Sequence, residues 1–313
     1  VALLRPAYSP PWARFVNAML TLPTIVHLVF ARARAGRRSR AVRVARACLL
    51  VAALALALWG FWLEPRRLVV RERELDVPNW PAELAGLRVV LISDLHIGAP
   101  HWDLERLAAL VQEVNARQPE LVLLAGDYLI NGVRLGRWID PESIARELSK
   151  LQAPLGTLAV LGNHEWWNDA PRARRALESQ GIVVLENQVQ RVLGRASFYV
   201  VGVGDPFTDH DDVEAAQAQV PPDAPFLVLV HSPDVFPQVS ASAALTLAGH
   251  THGGQVQLPF LGRPIVPSSY GQRYAAGHIV EDGRHLYVTT GVGTSILPVR
   301  FGVPPEVVLL SLR

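Results

Sequence analysis

Asp94 and His96 stand two residues apart where an apolar run, Leu87 to Ile92, gives way to polar chain. A carboxylate is a hard oxygen donor and an imidazole a borderline nitrogen donor. Together they suit a divalent Mn, Fe, Co, Ni or Zn ion. The arrangement recurs downstream. Asp127 follows Leu121–Ala125, Asn163 and His164 follow Thr157–Leu161, His231 follows Phe226–Val230, and His250 and His252 follow Leu245–Ala248. Of the ten histidines in the chain, five stand at these ends. Gly126, Gly162 and Gly249 lie beside the candidate ligands, where a missing Cβ lets the backbone turn sharply. Taken singly, each residue has an ordinary reading as a turn, a cap or a satisfied structural histidine. Five coincidences at the ends of successive apolar runs point instead to a metal site. Cys48 is the only cysteine, which excludes an intrachain disulfide and a thiolate metal site. The chain also lacks a Gly-x-Ser-x-Gly nucleophile motif, so metal-assisted chemistry suits it better than covalent catalysis.

Short apolar runs bounded by polar residues predict buried strands, and in open α/β sheets ligands bind beyond the carboxyl ends of strands. Between the runs, Leu104, Leu107, Ala108, Val111 and Val114 recur at helical spacing over 103–117, with Asp103 as N-cap. Helices are also predicted over 141–150 and 171–180. Extended segments are predicted at 68–75, 182–185, 198–203, 286–290 and 306–312. This alternation gives an α/β class.

The 313 residues carry a net charge of +2 that hides an asymmetry. All 28 acidic residues lie after position 63, whereas residues 1–63 hold nine Arg and no Lys. The basic part is interleaved with apolar runs, which suits a membrane surface rather than nucleic acid. The acidic remainder has no basic patch and argues against nucleic acid as a partner. Ala47–Leu63 is uncharged, almost wholly apolar and 17 residues long, at the short end of the range for a membrane span. Trp59 and Trp62 near its end match an interfacial aromatic belt. A signal peptide would have a shorter apolar core and a small-residue cleavage site. An earlier apolar run, 15–31, is broken by Asn17, Pro23 and His27 and reads as a poor span, a re-entrant segment or an interfacial helix. One or two membrane helices are therefore expected. Seven Arg precede Ala47–Leu63 over 32–46 and four follow it, at 66, 67, 71 and 73. The positive-inside bias then puts the large domain on the extracytoplasmic side. The expected division is a membrane anchor over 1–63, a connector over 64–86 and a domain over 87–313.

In order, Asp94-x-His96, Gly126-Asp127, Gly162-Asn163-His164-Glu165, His231 and Gly249-His250-Thr251-His252 resemble the signature of the calcineurin-like metallophosphoesterase superfamily. The resemblance covers residues 87–313. The preceding anchor and the run Gly253-Gly-Gln-Val-Gln-Leu-Pro259 look like its membrane-associated bacterial branch, which includes lipid-acting UDP-diacylglucosamine diphosphatases. It implies a two-sheet β-sandwich flanked by helices and a pair of divalent ions, Mn, Fe or Zn. It implies that Asp94, His96 and His252 hold one ion, that Asn163, His231 and His250 hold the other, and that Asp127 bridges them. It also implies that His164 is no ligand but faces the scissile phosphate as the catalytic histidine. The chain departs from the protein-phosphatase pattern. After Gly126-Asp127 it reads Tyr-Leu-Ile-Asn-Gly, without the Asp-Arg-Gly ending, and so leaves the partner that orients His164 unassigned.

The expected function is hydrolysis of a phosphodiester or pyrophosphate bond, with a lipid-linked substrate as first choice and a bacterial inner-membrane location. A phosphodiesterase or nucleotidase acting on soluble substrates, or a non-catalytic metal-binding scaffold, are the alternatives. Arg273 and Arg300 are candidate phosphate clamps, and Trp166 and Trp167 either stack on substrate or pack in the core.

Overall fold

The structure is a computed structural model that describes residues 40–313. The apolar run at 15–31 lies outside the described residues. Two compact units divide between Ala55 and Leu56. Helix α1 (Arg40–Leu58) has no buried residue, and helical chain continues through a π-helical turn, Trp59–Leu63, and a 3-10 turn, Glu64–Arg66. This stretch, Arg40–Arg66, has a mean hydropathy of 2.1 and is, among the described residues, the one helix long and apolar enough to cross a membrane. It is an N-terminal apolar helix consistent with a membrane anchor.

The unit that starts at Leu56 is an α/β fold with two mixed sheets, as expected. The first sheet has the order β1 (Val69–Leu75), β12 (Glu306–Leu312), β2 (Leu87–Ile92), β3 (Leu121–Leu124), β4 (Thr157–Ala159), β5 (Val183–Val184). The second has the order β10 (Gly277–Glu281), β11 (Arg284–Val288), β9 (Leu245–Ala248), β8 (Phe226–Leu229), β7 (Ser197–Gly202), β6 (Gln188–Leu193). Residues 64–86, expected as a connector, contain β1, which pairs in parallel with β12 from Val69↔Glu306 to Leu75↔Leu312. Strands β2 to β5 run parallel, as do β7, β8, β9 and β11, while β12 meets β2 antiparallel.

The continuous apolar runs follow from burial of each central strand on both faces. Alternate residues of β2 go opposite ways. Val89 and Leu91 join Leu123, Phe198, Leu227, Leu247 and Leu310 in the core between the sheets. Val90 and Ile92 pack with Leu107, Val111, Ile144 and Leu177 under α2 (Leu104–Asn115), α3 (Pro141–Leu148) and α5 (Ala170–Ser179). A third cluster, with Val201, Val228 and Phe236, closes the far face of the second sheet. Asp103, Asp140 and Asp169 cap α2, α3 and α5 by accepting the backbone N–H of the residue three positions on, at 2.8–3.0 Å. The parallel strands β2, β3, β4, β8 and β9 therefore all deliver their carboxyl ends to one edge of the sandwich.

Candidate metal centre

Five of the expected ligands take a left-handed backbone conformation, with φ of +54° at Asp94, +42° at His96, +56° at Asp127, +65° at His250 and +50° at His252. Such a conformation costs a residue with a Cβ about 1–3 kcal/mol and persists only where its surroundings impose it. The surroundings are specific. His96 N–H and Asp94 N–H donate to Asp127 O and Gly126 O at 3.0 Å each, stitching the β2 and β3 loops together. Gly126 itself has φ +89°, and a Cβ there would lie 2.7 Å from Gly162 N and 2.8 Å from His231 Nδ1. At Gly249 a Cβ would fall into Ser93 Oγ and 2.6 Å from Asp94 Oδ2. These two glycines let three loops close on one point.

At that point ring nitrogens and carboxylate oxygens face each other at close range. His96 Nε2 is 3.0 Å from His252 Nε2, and His252 Nε2 is 3.4 Å from Asp94 Oδ1, an atom buried with no hydrogen-bond partner. His231 Nε2 lies 3.2 Å from Asn163 Oδ1, 3.1 Å from His250 Nδ1 and 3.4 Å from Asp127 Oδ2. Asp127 Oδ2 is also 3.6 Å from His96 Nε2, so it stands between the two groups. Three triads satisfy the geometry of a metal site: Asp94–His96–His252, His96–Asp127–His164 and Asp127–His231–His250. The outer ring nitrogens of two ligands are engaged, His96 Nδ1 with Leu129 O at 3.2 Å and His231 Nδ1 with Ala125 O at 2.7 Å. A proton donated there would leave Nε2 free to face an ion.

In the electrostatics His231 stands apart: burial opposes its protonation, but Asp127 outweighs burial and holds the imidazole well above its usual value. Burial, then His164, push the His96 imidazole down to about 3, and burial, then His231, do the same to His250. Burial, then His96, hold His252 well below its usual value. Burial, then Asp127, raise the Asp94 carboxyl to about 6. Burial opposes ionisation of Asp127, but His164 and His231 outweigh it and hold the group well below the carboxylate range. A buried cluster of lone pairs and carboxylate oxygens of this kind demands positive charge. Divalent cations meet that demand, and the residues present fit a dinuclear divalent-metal site.

His164 is buried in α4 (Asn163–Asn168), with its N–H donated to Asp127 Oδ1 at 2.9 Å and its Nε2 3.8 Å from Asp127 Oδ2. Burial lowers its pKa, against the opposing pull of the Asp127 carboxylate. Its Nδ1 has no partner, so the ring is positioned by packing against His96 at 4.4 Å and Trp167 at 5.3 Å between centroids. Glu165 does not orient His164. Its carboxylate accepts the N–H groups of Asp127, Tyr128, Leu129 and Gly162 at 2.9–3.0 Å. It is at once the third-position residue that reaches back to cap α4 and the clamp on the strained Asp127 turn. Burial raises its pKa, yet four N–H donors leave no place for a carboxyl proton, so the loop is held by the ionised form.

Neither arginine stands among the inward-facing donors, although Arg300 Nη2 comes within 3.5 Å of His252 Nδ1. Arg300 is fully buried and spends its guanidinium on Gly293 O, Thr290 O, Gly291 O and Val303 O at 2.6–3.2 Å. Arg273 forms a bidentate pair with Glu281, 2.7 Å in each arm. Of the two tryptophans, Trp166 stacks on His210 and Trp167 is half exposed beside His164. Sequence reasoning missed Phe207, which faces the His250 ring at 5.0 Å and Trp167 at 5.8 Å. No motif marked it. The only signal was the Gly204-Asp205-Pro206 turn at a strand end, the same kind of place as the other ligands.

Residues 87–254 match the Calcineurin-like phosphoesterase family, and the chain belongs to it. Within the family it is 29% identical over 256 residues to the uncharacterized metallophosphoesterase YkuE of Bacillus subtilis, spanning 80% of this chain and 88% of that one. It is 32% identical over 237 residues to the phosphodiesterase YaeI of Escherichia coli, spanning 73% and 83%. Similarity to the UDP-2,3-diacylglucosamine pyrophosphatase LpxG of Chlamydia trachomatis is more distant, 26% over 317 residues, spanning 84% and 94%. Family membership and a candidate dinuclear site together support catalytic hydrolase activity.

Proposed function

We propose that the chain hydrolyses a phosphodiester or pyrophosphate bond of a lipid-linked substrate, with its domain on the extracytoplasmic side of a bacterial inner membrane. The observation that carries the hydrolytic reading is the set of inward lone pairs converging on Asp127 Oδ2. Asp94, His96 and His252 would hold one divalent ion and Asn163, His231 and His250 a second, with Asp127 available to either. Such ions, when bound, would supply a nucleophilic water-derived oxygen near neutral pH and neutralise charge on the phosphoryl group. The protein's part is placement. His164 Nε2, 3.8 Å from Asp127 Oδ2, is placed to stabilise or protonate the leaving oxygen. Glu165 keeps the Asp127 turn closed. Phosphoryl transfer needs positioning and charge neutralisation more than covalent help, which is what these residues provide. Arg273 and Arg300 are given no substrate-binding role, because their guanidinium groups are already committed.

The lipid-linked substrate is supported by the apolar helix Arg40–Arg66, which would concentrate the domain at a bilayer, and by the named activity of the chlamydial relative. The seven Arg before the apolar stretch, against four after it, support the orientation. The deciding experiment loads the purified full chain with Mn, Fe or Zn and presents a lipid-sugar nucleotide, a glycerophosphodiester, a soluble aryl phosphodiester and an aryl phosphomonoester side by side. Fastest turnover of the lipid-sugar nucleotide is expected. A preference for a soluble aryl phosphodiester over every detergent-dispersed lipid would instead establish the soluble-substrate alternative, and no turnover of any would leave the non-catalytic scaffold.

A further inference from the structure

We propose that the turn Leu258–Gly262 is a wedge that dips into the bilayer and seats the metal centre against the membrane surface. Its sequence, Leu-Pro-Phe-Leu-Gly, carries no charge. Leu258 and Gly262 exchange both backbone hydrogen bonds, at 2.8 and 3.0 Å, so the turn is closed at its base. At its tip Phe260 is fully exposed, with φ +66°, and Leu261 is 72% exposed. Two large apolar side chains exposed side by side at the tip of a closed turn mark an interaction surface.

Continuity with the end of the anchor identifies the occupant. Gln257 N–H donates to Phe301 O at 2.7 Å, and Arg300 N–H donates to Gly60 O at 2.9 Å. Gly60 is the one buried residue of the π-helical turn, whose other residues, Trp59, Phe61, Trp62 and Leu63, are 40–50% exposed. The wedge is therefore connected through residues 299–301 to the aromatic end of the apolar helix. A second exposed loop joins the same strip, since Arg134 N–H donates to Ile296 O at 3.0 Å and the next residue, Leu135, is 88% exposed. On the inner side the strip abuts the centre. Gly293 packs so close to His96 that a Cβ there would lie 2.9 Å from His96 Cβ, and the wedge begins six residues after His252. A bilayer that accepts the helix end at Trp59–Leu63 then also meets Phe260 and Leu261, as interfacial aromatic residues do elsewhere. The inference rests on the chain being membrane-anchored and not on its hydrolytic chemistry.

The native Cys48, in α1, makes the test direct. The full chain is placed in nanodiscs of phosphatidylcholine and phosphatidylglycerol with an environment-sensitive fluorophore on Leu261→Cys in a Cys48→Ser background. Leu193→Cys, exposed at the end of β6, serves as control, and Cys48 labelled in the otherwise native chain reports the anchor. Acyl-brominated lipid is expected to quench the label at 261 at least twofold more than the label at 193. Phe260→Asp is expected to return the label at 261 to the control value. Equal quenching at 261 and 193 with Cys48 strongly quenched overturns the wedge while the anchor stands. No quenching at Cys48 overturns the anchor and the wedge together. A blue-shifted label at 261 that brominated lipid does not quench also overturns the proposal, because protein rather than lipid then covers the turn.

Discussion

His164 and Glu165 are neighbours in one short helix with separable duties, and single substitutions distinguish them. His164→Ala removes a ring whose only side-chain polar approach is to Asp127 Oδ2 at 3.8 Å, and leaves the inward atoms of the other seven residues in place. A general acid contributes about 10²–10⁴-fold. Turnover is expected to fall by that order, with metal content by elemental analysis unchanged. Glu165→Gln does the opposite. An amide presents two N–H groups where the carboxylate accepted backbone donors, so at least one buried N–H loses its partner at about 1–3 kcal/mol each. Metal content and thermal midpoint are both expected to drop, because the Asp127 turn loosens before any chemistry is reached. Sequence reasoning located His164 and placed Glu165 beside it, but could not say which way Glu165 points. That depends on the φ of +56° at Asp127, which turns three successive N–H groups toward one spot, and no residue type announces it.

At the scale of elements, the strands buried on both faces were legible because burial on both faces writes itself as an uninterrupted apolar run. The run 121–125 became β3 and 245–248 became β9. The edge strands of the first sheet, β1 and β5, were read as extended segments at 68–75 and 182–185, but those of the second sheet were not legible. β6 reads Gln-Val-Gln-Arg-Val-Leu and β10 Gly-His-Ile-Val-Glu, and each is held in its sheet by pairing with one neighbour, β7 or β11. A strand covered on one side only needs no strong apolar signal of its own. Helix α6 (Val213–Gln217) was missed for a related reason, since five residues are too few to show a 3.6-residue period. The glycines between strand and ligand were legible, and they carry a prediction. Gly126→Ala would combine a disfavoured φ of +89° with atoms 2.7 and 2.8 Å from the new Cβ. A loss of about 2–4 kcal/mol in stability and of at least one bound metal ion is expected, measured by chemical denaturation and elemental analysis.

For the whole molecule, the buried charge pattern predicts how stability responds to metal and to pH. Chelation removes the cations that the inward lone pairs require, and ligand linkage then lowers the melting temperature of the metal-loaded protein. A fall of at least about 5 °C by near-UV circular dichroism is expected, reversed by adding back Mn or Zn. Glu186 sets a pH dependence of its own. Its Oε1 accepts Leu161 N–H at 2.9 Å, its Oε2 is buried without a partner, and burial raises the carboxyl to about 7. The folded chain thus keeps a proton that the unfolded chain releases near 4.5. Stability from this group is present below pH 4.5 and is lost as pH rises through about 7. In chelated protein, Glu186→Gln is expected to be more stable than the native chain at pH 8 by about 2–3 kcal/mol, and indistinguishable from it near pH 4.

β12 lies between β1 and β2, although some 215 residues separate its start from the end of β2. While the chain is being made, β1 leaves the ribosome early and finds no partner in its sheet until residues 306–312 emerge. The backbone edges of β1 and β2 that β12 will fill stay unpaired meanwhile, and pairing at such sequence distance is slow. Synthesis at a membrane would shelter that gap, because a tethered nascent chain meets few others of its kind before the seam closes.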